Sequence, residues 1–244
     1  MVKPPTPVVT VRPTAVYPLT LRYRGVDTLR KARPATLRGV YPTTGPTGIR
    51  NTAYRFVGSA GSYIQFPNYG KLDTKTAITL IAWVLPKRGG PIFNYQTNGW
   101  GVHLWATRPN QLFVRFVRRN GRFTAAVVSN KLRPGRWNYV AATYSQRKGV
   151  AALYLSGRLV ARRYIGRIKL RTQFNVRMGA RIGDRRYFAG RITCMQVYSR
   201  ALNGRQQRAL MFRCHKGMVY FFSCWSFFLW KLFRVIRLSS DIRC

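Results

Sequence analysis

From about Tyr54 to Tyr198 the chain alternates short apolar runs with breaks of Gly, Pro or Asn, which recur roughly every eight to twelve residues. That punctuation predicts an all-β domain, because each short strand must end in a turn before its partner can pair with it. Strands are expected at Ala53–Phe56, Tyr63–Phe66, Ile78–Leu85, Gly101–Trp105, Leu112–Val117, Thr124–Val128, Trp137–Tyr144, Ala151–Leu155, Arg158–Tyr164, Val176–Ala180 and Ile192–Tyr198. Asn120-Gly121 lies between two apolar runs and predicts a tight hairpin with both central residues at positive φ; Ser156-Gly157 is a weaker signal of the same kind. Within Leu112–Val117 the inward set Leu112, Val114 and Phe116 stands against Phe113, Arg115 and Val117, itself partly apolar, so both faces are expected to be covered. One short helix is predicted near Gly204–Arg213, with Asn203 capping its start and Leu210 returning to the core.

Both ends differ from this body. Residues 1–14, MVKPPTPVVTVRPT, are rich in Pro, Thr and Val and read as an extended linker. They lack the continuous apolar stretch of a secretory signal, from which we expect a fragment or a gene model that begins late. At residues 215–244 the chain becomes an apolar and basic tail. Its uncharged stretch Gly217–Trp230 is shorter than the roughly twenty residues a bilayer crossing needs, and Lys231 and Arg234 interrupt the apolar residues beyond it. Three readings compete: an interfacial helix touching a membrane through 217–238, a buried terminal segment, or translated non-coding sequence past a lost splice site. Cys224 and Cys244 have no evident partners, which fits the last of these, a non-native extension. The domain assignment is therefore linker 1–14, body 15–214 and tail 215–244.

Charge changes the picture most. Among 244 residues, 44 Lys and Arg face four acids, for a net charge of +40. The acids are Asp27, Asp73, Asp184 and Asp241, with no Glu, and only ten of the basic residues are Lys. Such an excess attracts polyanions, and the planar guanidinium grips sulfate, phosphate or carboxylate with two donors. A compositional bias of the genome that replaces Lys by Arg and removes Glu would give the same count without any function.

Missing acids also remove chemistries. Glycoside hydrolysis needs two carboxylates flanking one cleft, and calcium sites want several oxygen ligands, usually carboxylates. Only two histidines are present, His103 and His215, and neither lies beside a nucleophile elbow. His103 stands in the apolar run Gly-Val-His-Leu-Trp and reads as a strand residue rather than a base. No catalytic residue, metal site or cofactor is assigned.

Several segments in order resemble the laminin-G-like, concanavalin-A-like jelly-roll family, with its pentraxin-like relatives. Ala53–Gly58 (AYRFVG) with Tyr63–Pro67 (YIQFP) is similar to the family's opening strands, and Ala77–Pro86 (AITLIAWVLP) to its tryptophan strand. Gly135–Tyr144 (GRWNYVAATY) looks like its central strand, Leu153–Val160 (LYLSGRLV) like its hairpin, and Phe188–Leu202 (FAGRITCMQVYSRAL) like its closing strand. The resemblance covers roughly residues 15 to 214 and implies a two-sheet antiparallel jelly-roll sandwich with one short C-terminal helix. Trp83, Trp137 and Phe93 are expected to supply large buried area, while Gly58, Gly157 and Gly190 are expected to permit turns.

The chain departs from the family where an acid commonly follows the first Phe and another follows the central strand; Val57 and Ser145 stand there. Many members bind calcium at the rim, a site this acid-poor chain is ill supplied to build. Asp184, on a rim loop in Ile-Gly-Asp-Arg-Arg, reads as a turn residue paired with Arg185 or Arg186. The resemblance also implies a terminal disulfide between Cys194 and Cys214, worth on the order of 3 kcal/mol by loop-closure entropy and characteristic of an oxidising compartment.

Resemblance and charge converge on an extracellular, non-enzymatic binding module within a larger protein, recognising sulfated or acidic glycans or acidic extracellular proteins. The basic clusters expected to carry it are Arg115, Arg118, Arg119 and Arg122 around the hairpin, Arg162 and Arg163 on the following sheet, and Arg185 and Arg186 on the rim. Each cluster could instead be a solvated face without a partner. The rivals are a nucleic-acid-binding basic protein, driven by the same charges, and a membrane-associated adhesion domain held by its aromatic tail.

Overall fold

The computed structural model describes residues 11–215. Among them, fifteen strands form two antiparallel sheets, followed by one short helix. In chain order the strands are β1 (Ala15–Tyr17), β2 (Thr36–Arg38), β3 (Val40–Thr43), β4 (Ala53–Val57), β5 (Tyr63–Phe66), β6 (Ala77–Arg88), β7 (Gly90–Gln96) and β8 (Trp100–Arg108). They continue as β9 (Gln111–Arg115), β10 (Val127–Ser129), β11 (Asn138–Ser145), β12 (Val150–Leu155), β13 (Arg158–Tyr164), β14 (Val176–Met178) and β15 (Ala189–Tyr198). The helix α1 is Gly204–Ala209.

One sheet has the order β13-β12-β11-β6-β15-β4-β3, with β1 also on β15; the other runs β10-β9-β8-β7-β14-β5-β2. Non-consecutive neighbours in both sheets make this the jelly-roll sandwich that the family resemblance implied, within the all-β class that the apolar punctuation predicted. Ile78, Leu80 and Val84 of β6 meet Leu104, Val114 and Val176 of the second sheet in one core. In β6 the alternate residues Ile81 and Trp83 are also buried, outside that core. The segment around α1 covers them: Trp83 Nε1 donates to Met211 O at 2.9 Å and Tyr139 OH to Gln207 O at 3.1 Å. Covering both faces turns β6 into a nearly continuous apolar run. Asn203 caps α1 in a reciprocal box with Gln206, and Leu210 is buried as expected.

Several boundaries move. Thr124–Val128 contracts to Val127–Ser129, Val176–Ala180 to Val176–Met178, and the helix ends at Ala209, with a single 3-10 turn at Arg213–His215. Trp137 precedes its strand, beside a turn that the Asn138 amide ties to Arg133 and Arg136, so it is half-buried rather than a core residue. Trp105 is instead a fully buried tryptophan. Gly190 lies inside β15, not in a turn, where a Cβ would approach Leu85 O to 2.2 Å. The hairpin chemistry is exchanged as well: Ser156 (φ 49°) and Gly157 (φ 69°) make the two-residue turn with both residues left-handed. At Asn120-Gly121 only Gly121 is left-handed; Gly121 N donates to Arg118 O and Arg118 N to Arg122 O, a three-residue loop.

Strands β1, β2, β3 and β7 were not anticipated. The Gly-Gly-Pro that opens β7 reads as a break, yet Gly90 permits an approach in which a Cβ would sit 2.1 Å from Phe188 N. Upstream, the chain packs from Val11, which is buried, and Thr14 N donates to Val197 O. The loop after β1 is organised by buried Asp27, whose carboxylate accepts from the backbone N–H of Val16, Leu29, Lys31 and Ala32. The first ten residues of the expected linker, the tail readings for 216–244, and Cys224 and Cys244 lie outside the described residues. Among the described residues no helix is long and apolar enough to cross a membrane.

Candidate functional site

Strand alternation builds the site on the outer face of the seven-stranded sheet. In β8, Val102, Leu104 and Ala106 enter the core, which turns His103, Trp105 and Thr107 to the opposite face. In β9, Leu112 and Val114 do the same and leave Phe113 and Arg115 outward. The register sets His103 opposite Arg115 and Trp105 opposite Phe113. His103 and Phe113 stack with ring centroids 5.6 Å apart and planes at 18°. Trp100, at the start of β8, leans back over His103 at 4.8 Å and Trp105 at 5.7 Å, and Trp105 Nε1 donates to Asn94 Oδ1 from β7.

Arginines border these rings. The Arg115 guanidinium lies 5.3 Å from the Phe113 ring and 5.1 Å from that of Phe123. Arg181 lies 4.1 Å from Trp100, and Arg186 4.6 Å from Trp105. Asp184 holds Arg186, accepting from its Nε at 2.9 Å, as the reading of a turn residue anticipated. That hydrogen bond keeps the Asp184 carboxyl below its usual range and raises Arg186, while burial lowers Arg181.

His103 is 4% exposed. Burial drives its pKa down to about 4, and Arg115, Arg181 and Arg186 push in the same direction, so the ring is neutral near neutral pH. Its Nδ1 stands 2.8 Å from Gly101 O, which requires the proton there and leaves Nε2 an acceptor. Nearby, the Nε groups of Arg115 and Arg181 are buried without a hydrogen-bond acceptor among the described residues.

The aromatic rings, His103, Arg115 and Arg186 border a pocket of about 290 Å³. A second, wider pocket of about 510 Å³ adjoins it; Trp105, Thr107 and Arg186 line both. Arg88, Arg108 and Arg185 border the larger one. Together they form a groove with aromatic walls and five arginines: Arg88, Arg108, Arg115, Arg185 and Arg186. Such a surface can bury the apolar C–H face of a sugar ring against an aromatic plane while guanidinium groups pair with an acidic substituent.

The structure brings Arg115, Arg185 and Arg186 of the expected basic residues into this groove. Arg118 and Arg122 are exposed on the hairpin loop. Arg119 is committed elsewhere, donating to both carboxylate oxygens of Asp73, at 2.7 and 2.9 Å. Arg162 and Arg163 stand on β13, the edge strand of the other sheet. Sequence reasoning did not assign Trp100, His103, Trp105, Phe113, Phe123, Arg88, Arg108 or Arg181. The alternation in Trp-Gly-Val-His-Leu-Trp carried a signal, since its two-residue period sends His103 and Trp105 to one face. Among the described residues no cluster of three His, Cys, Asp or Glu is arranged to hold a metal ion.

The two packed antiparallel sheets define a concanavalin A-like jelly-roll module. Residues 58–206 match the family described as the concanavalin A-like lectin/glucanases superfamily, more than half of the 244 residues, and the chain belongs to that family. Solved structures share the architecture. The botulinum neurotoxin serotype G binding domain superposes with TM-score 0.66 at 14% identity, covering 82% of this chain and 51% of that one. The binding domain of Paraclostridial Mosquitocidal Protein 1 gives 0.61 at 15% identity, covering 75% and 47%. The botulinum neurotoxin serotype D ligand binding domain, solved in complex with N-acetylneuraminic acid, gives 0.61 at 15%, covering 82% and 50%. The chain thus spans about half the length of these structures. Among curated proteins no sequence matches it.

Proposed function

We propose that this chain is an extracellular, non-enzymatic binding module whose outer-face groove recognises acidic glycans, or the acidic glycans of extracellular glycoproteins. The observation that carries the reading is the coincidence, in one groove, of stacked aromatic rings with Arg115, Arg185 and Arg186. The neurotoxin and mosquitocidal structures are named as binding domains, one in complex with a sugar acid, which supports a binding role. Cys194 and Cys214 are both disulfide-bonded, which supports an oxidising compartment. We further propose that they are joined to each other. Peptide mapping without reductant is expected to yield one linked species containing both; recovery of either in a different linkage would refute the pairing.

For the groove, substituting Arg115→Ser with Arg186→Ser is expected to weaken binding to heparin and to sialylated glycans at least ~100-fold, at about 1.5 to 3 kcal/mol per lost charge-assisted contact. Steepness of the salt dependence falls with it. Arg118→Ser with Arg122→Ser, on the exposed loop, is expected to change affinity by less than about threefold. Retention is compared on heparin, neutral glycan and DNA columns at matched ionic strength. Equal retention on neutral and acidic glycans would overturn the reading, and stronger retention on DNA that depends on Arg115 and Arg186 would favour nucleic acid instead.

A further inference from the structure

We propose that the smaller pocket accepts one acidic sugar unit carrying a free ring hydroxyl, and that His103 is the residue that selects the hydroxyl. This rests on the acidic-glycan reading above and narrows it to a substrate class and a contact.

The pocket offers two unmatched polar atoms of opposite kind on directly paired positions. His103 is buried, its Nδ1–H is taken by Gly101 O, and Nε2 makes no hydrogen bond among the described residues. Arg115, its cross-strand partner, has a buried Nε–H without an acceptor there. Opposed side chains of this kind stand about 5 Å apart at Cβ. A ligand that satisfies both atoms must present a donor to His103 and an acceptor to Arg115. A uronic or sialic acid does so within one ring, through a hydroxyl and a carboxylate. Inorganic sulfate cannot, because at neutral pH it has acceptors and no donor, and it would face the imidazole lone pair. Around these atoms Trp100, Phe113 and Phe123 supply apolar surface for the ring, and the volume of about 290 Å³ suits a single residue of a chain whose remainder continues into the wider pocket.

The charged groups facing His103 are Arg115 from β9 and Arg181 and Arg186 from the loop before β15. All three oppose protonation, so His103 acts as a neutral acceptor, not as a fourth cation. Affinity is then flat from pH 8 to pH 5.5, whereas a histidine that bound the anion as a cation would gain affinity across that range.

The experiment uses the full, disulfide-intact chain and titrates methyl glucuronide, N-acetylneuraminic acid methyl glycoside, methyl glucoside and inorganic sulfate, followed by calorimetry and by the 15N signal of the His103 ring. Either carboxylated sugar is expected to bind at least tenfold more tightly than both others and to shift the unprotonated Nε2 resonance, a readout on the unaltered protein. His103→Phe keeps the ring stack and is expected to lose about tenfold for the carboxylated sugar; His103→Gln, which retains an acceptor oxygen, is expected to recover part of it. An unmoved Nε2 signal on saturation, binding of inorganic sulfate in preference to the acidic sugars, or rising affinity as pH falls to 5.5 would overturn this inference while leaving acidic-glycan binding intact. Absence of binding by every acidic sugar and by heparin would remove both.

Discussion

Asp27→Ala is expected to lower the unfolding free energy by about 4 kcal/mol, far more than its place in an irregular N-terminal loop suggests. Asp27 is 1% exposed and accepts four backbone N–H groups, from Val16 at 2.8 Å, Leu29 at 3.2 Å, Lys31 at 2.9 Å and Ala32 at 3.0 Å. Each charge-assisted bond is worth about 1.5 to 3 kcal/mol net; the part-buried donors of Leu29, Lys31 and Ala32 recover much of this from water, whereas the buried Val16 donor is left without a substitute. Val16 belongs to β1, which pairs with the second half of β15, so the loss is felt in the central part of the eight-stranded sheet. Asp27→Asn separates the contributions. Two of the donors point to Oδ1 and two to Oδ2, and an amide retains one acceptor oxygen, so about half of the loss is expected. Urea unfolding followed by tryptophan fluorescence measures both; a change below about 1 kcal/mol for the alanine variant would show that the loop is held by something else.

The same residue shows where sequence reading stops. Asp27 was legible only as one of four acids, because the donors it serves are brought round by a loop with left-handed Leu19, Arg24 and Arg30, which no turn dipeptide announces. Where strands are long apolar runs bounded by clear breaks, as in β6, β8 and β11, those breaks located them within a few residues. Short strands such as β2 and β3 carry too few positions for a period to show, and β3 contains Pro42 besides. The candidate site was half legible for a related reason. Counting arginines along the chain finds Arg115 and Arg186 together with Arg119 and Arg162. Which of them share a surface depends on pairing across the sheets and on Asp73, 46 residues from Arg119. His103 was rightly placed in a strand, but its facing partner Arg115 is set by the β8–β9 register. Arg181 and Arg186 reach it from a loop some eighty residues later.

Stability of the protein is expected to fall by about 3 kcal/mol between pH 7 and pH 4 through His103 alone. In the unfolded chain the imidazole takes up its proton near its ordinary pKa of about 6.5; in the folded protein burial and three arginines hold it at about 4. Between those values the unfolded state binds more protons, so unfolding becomes easier as pH falls, with the full loss reached below about pH 4. His215, also lowered by burial, acts in the same direction. The carboxylates act elsewhere: Asp73 and Asp184 are lowered in the fold, so their stabilisation is present above the unfolded carboxylate pKa of about 3.9 and is lost only below it. With no Glu in the chain, the interval from pH 6.5 to pH 4 belongs to the histidines. In His103→Phe, which keeps an aromatic ring against Phe113, the decline across that interval is expected to shrink to the smaller contribution of His215. Denaturant midpoints measured at half-unit pH steps decide the matter. Parallel profiles for the variant and the unaltered protein would mean that His103 is hydrated enough to titrate normally, and its Nε2 would then cease to be a neutral acceptor at the floor of the groove.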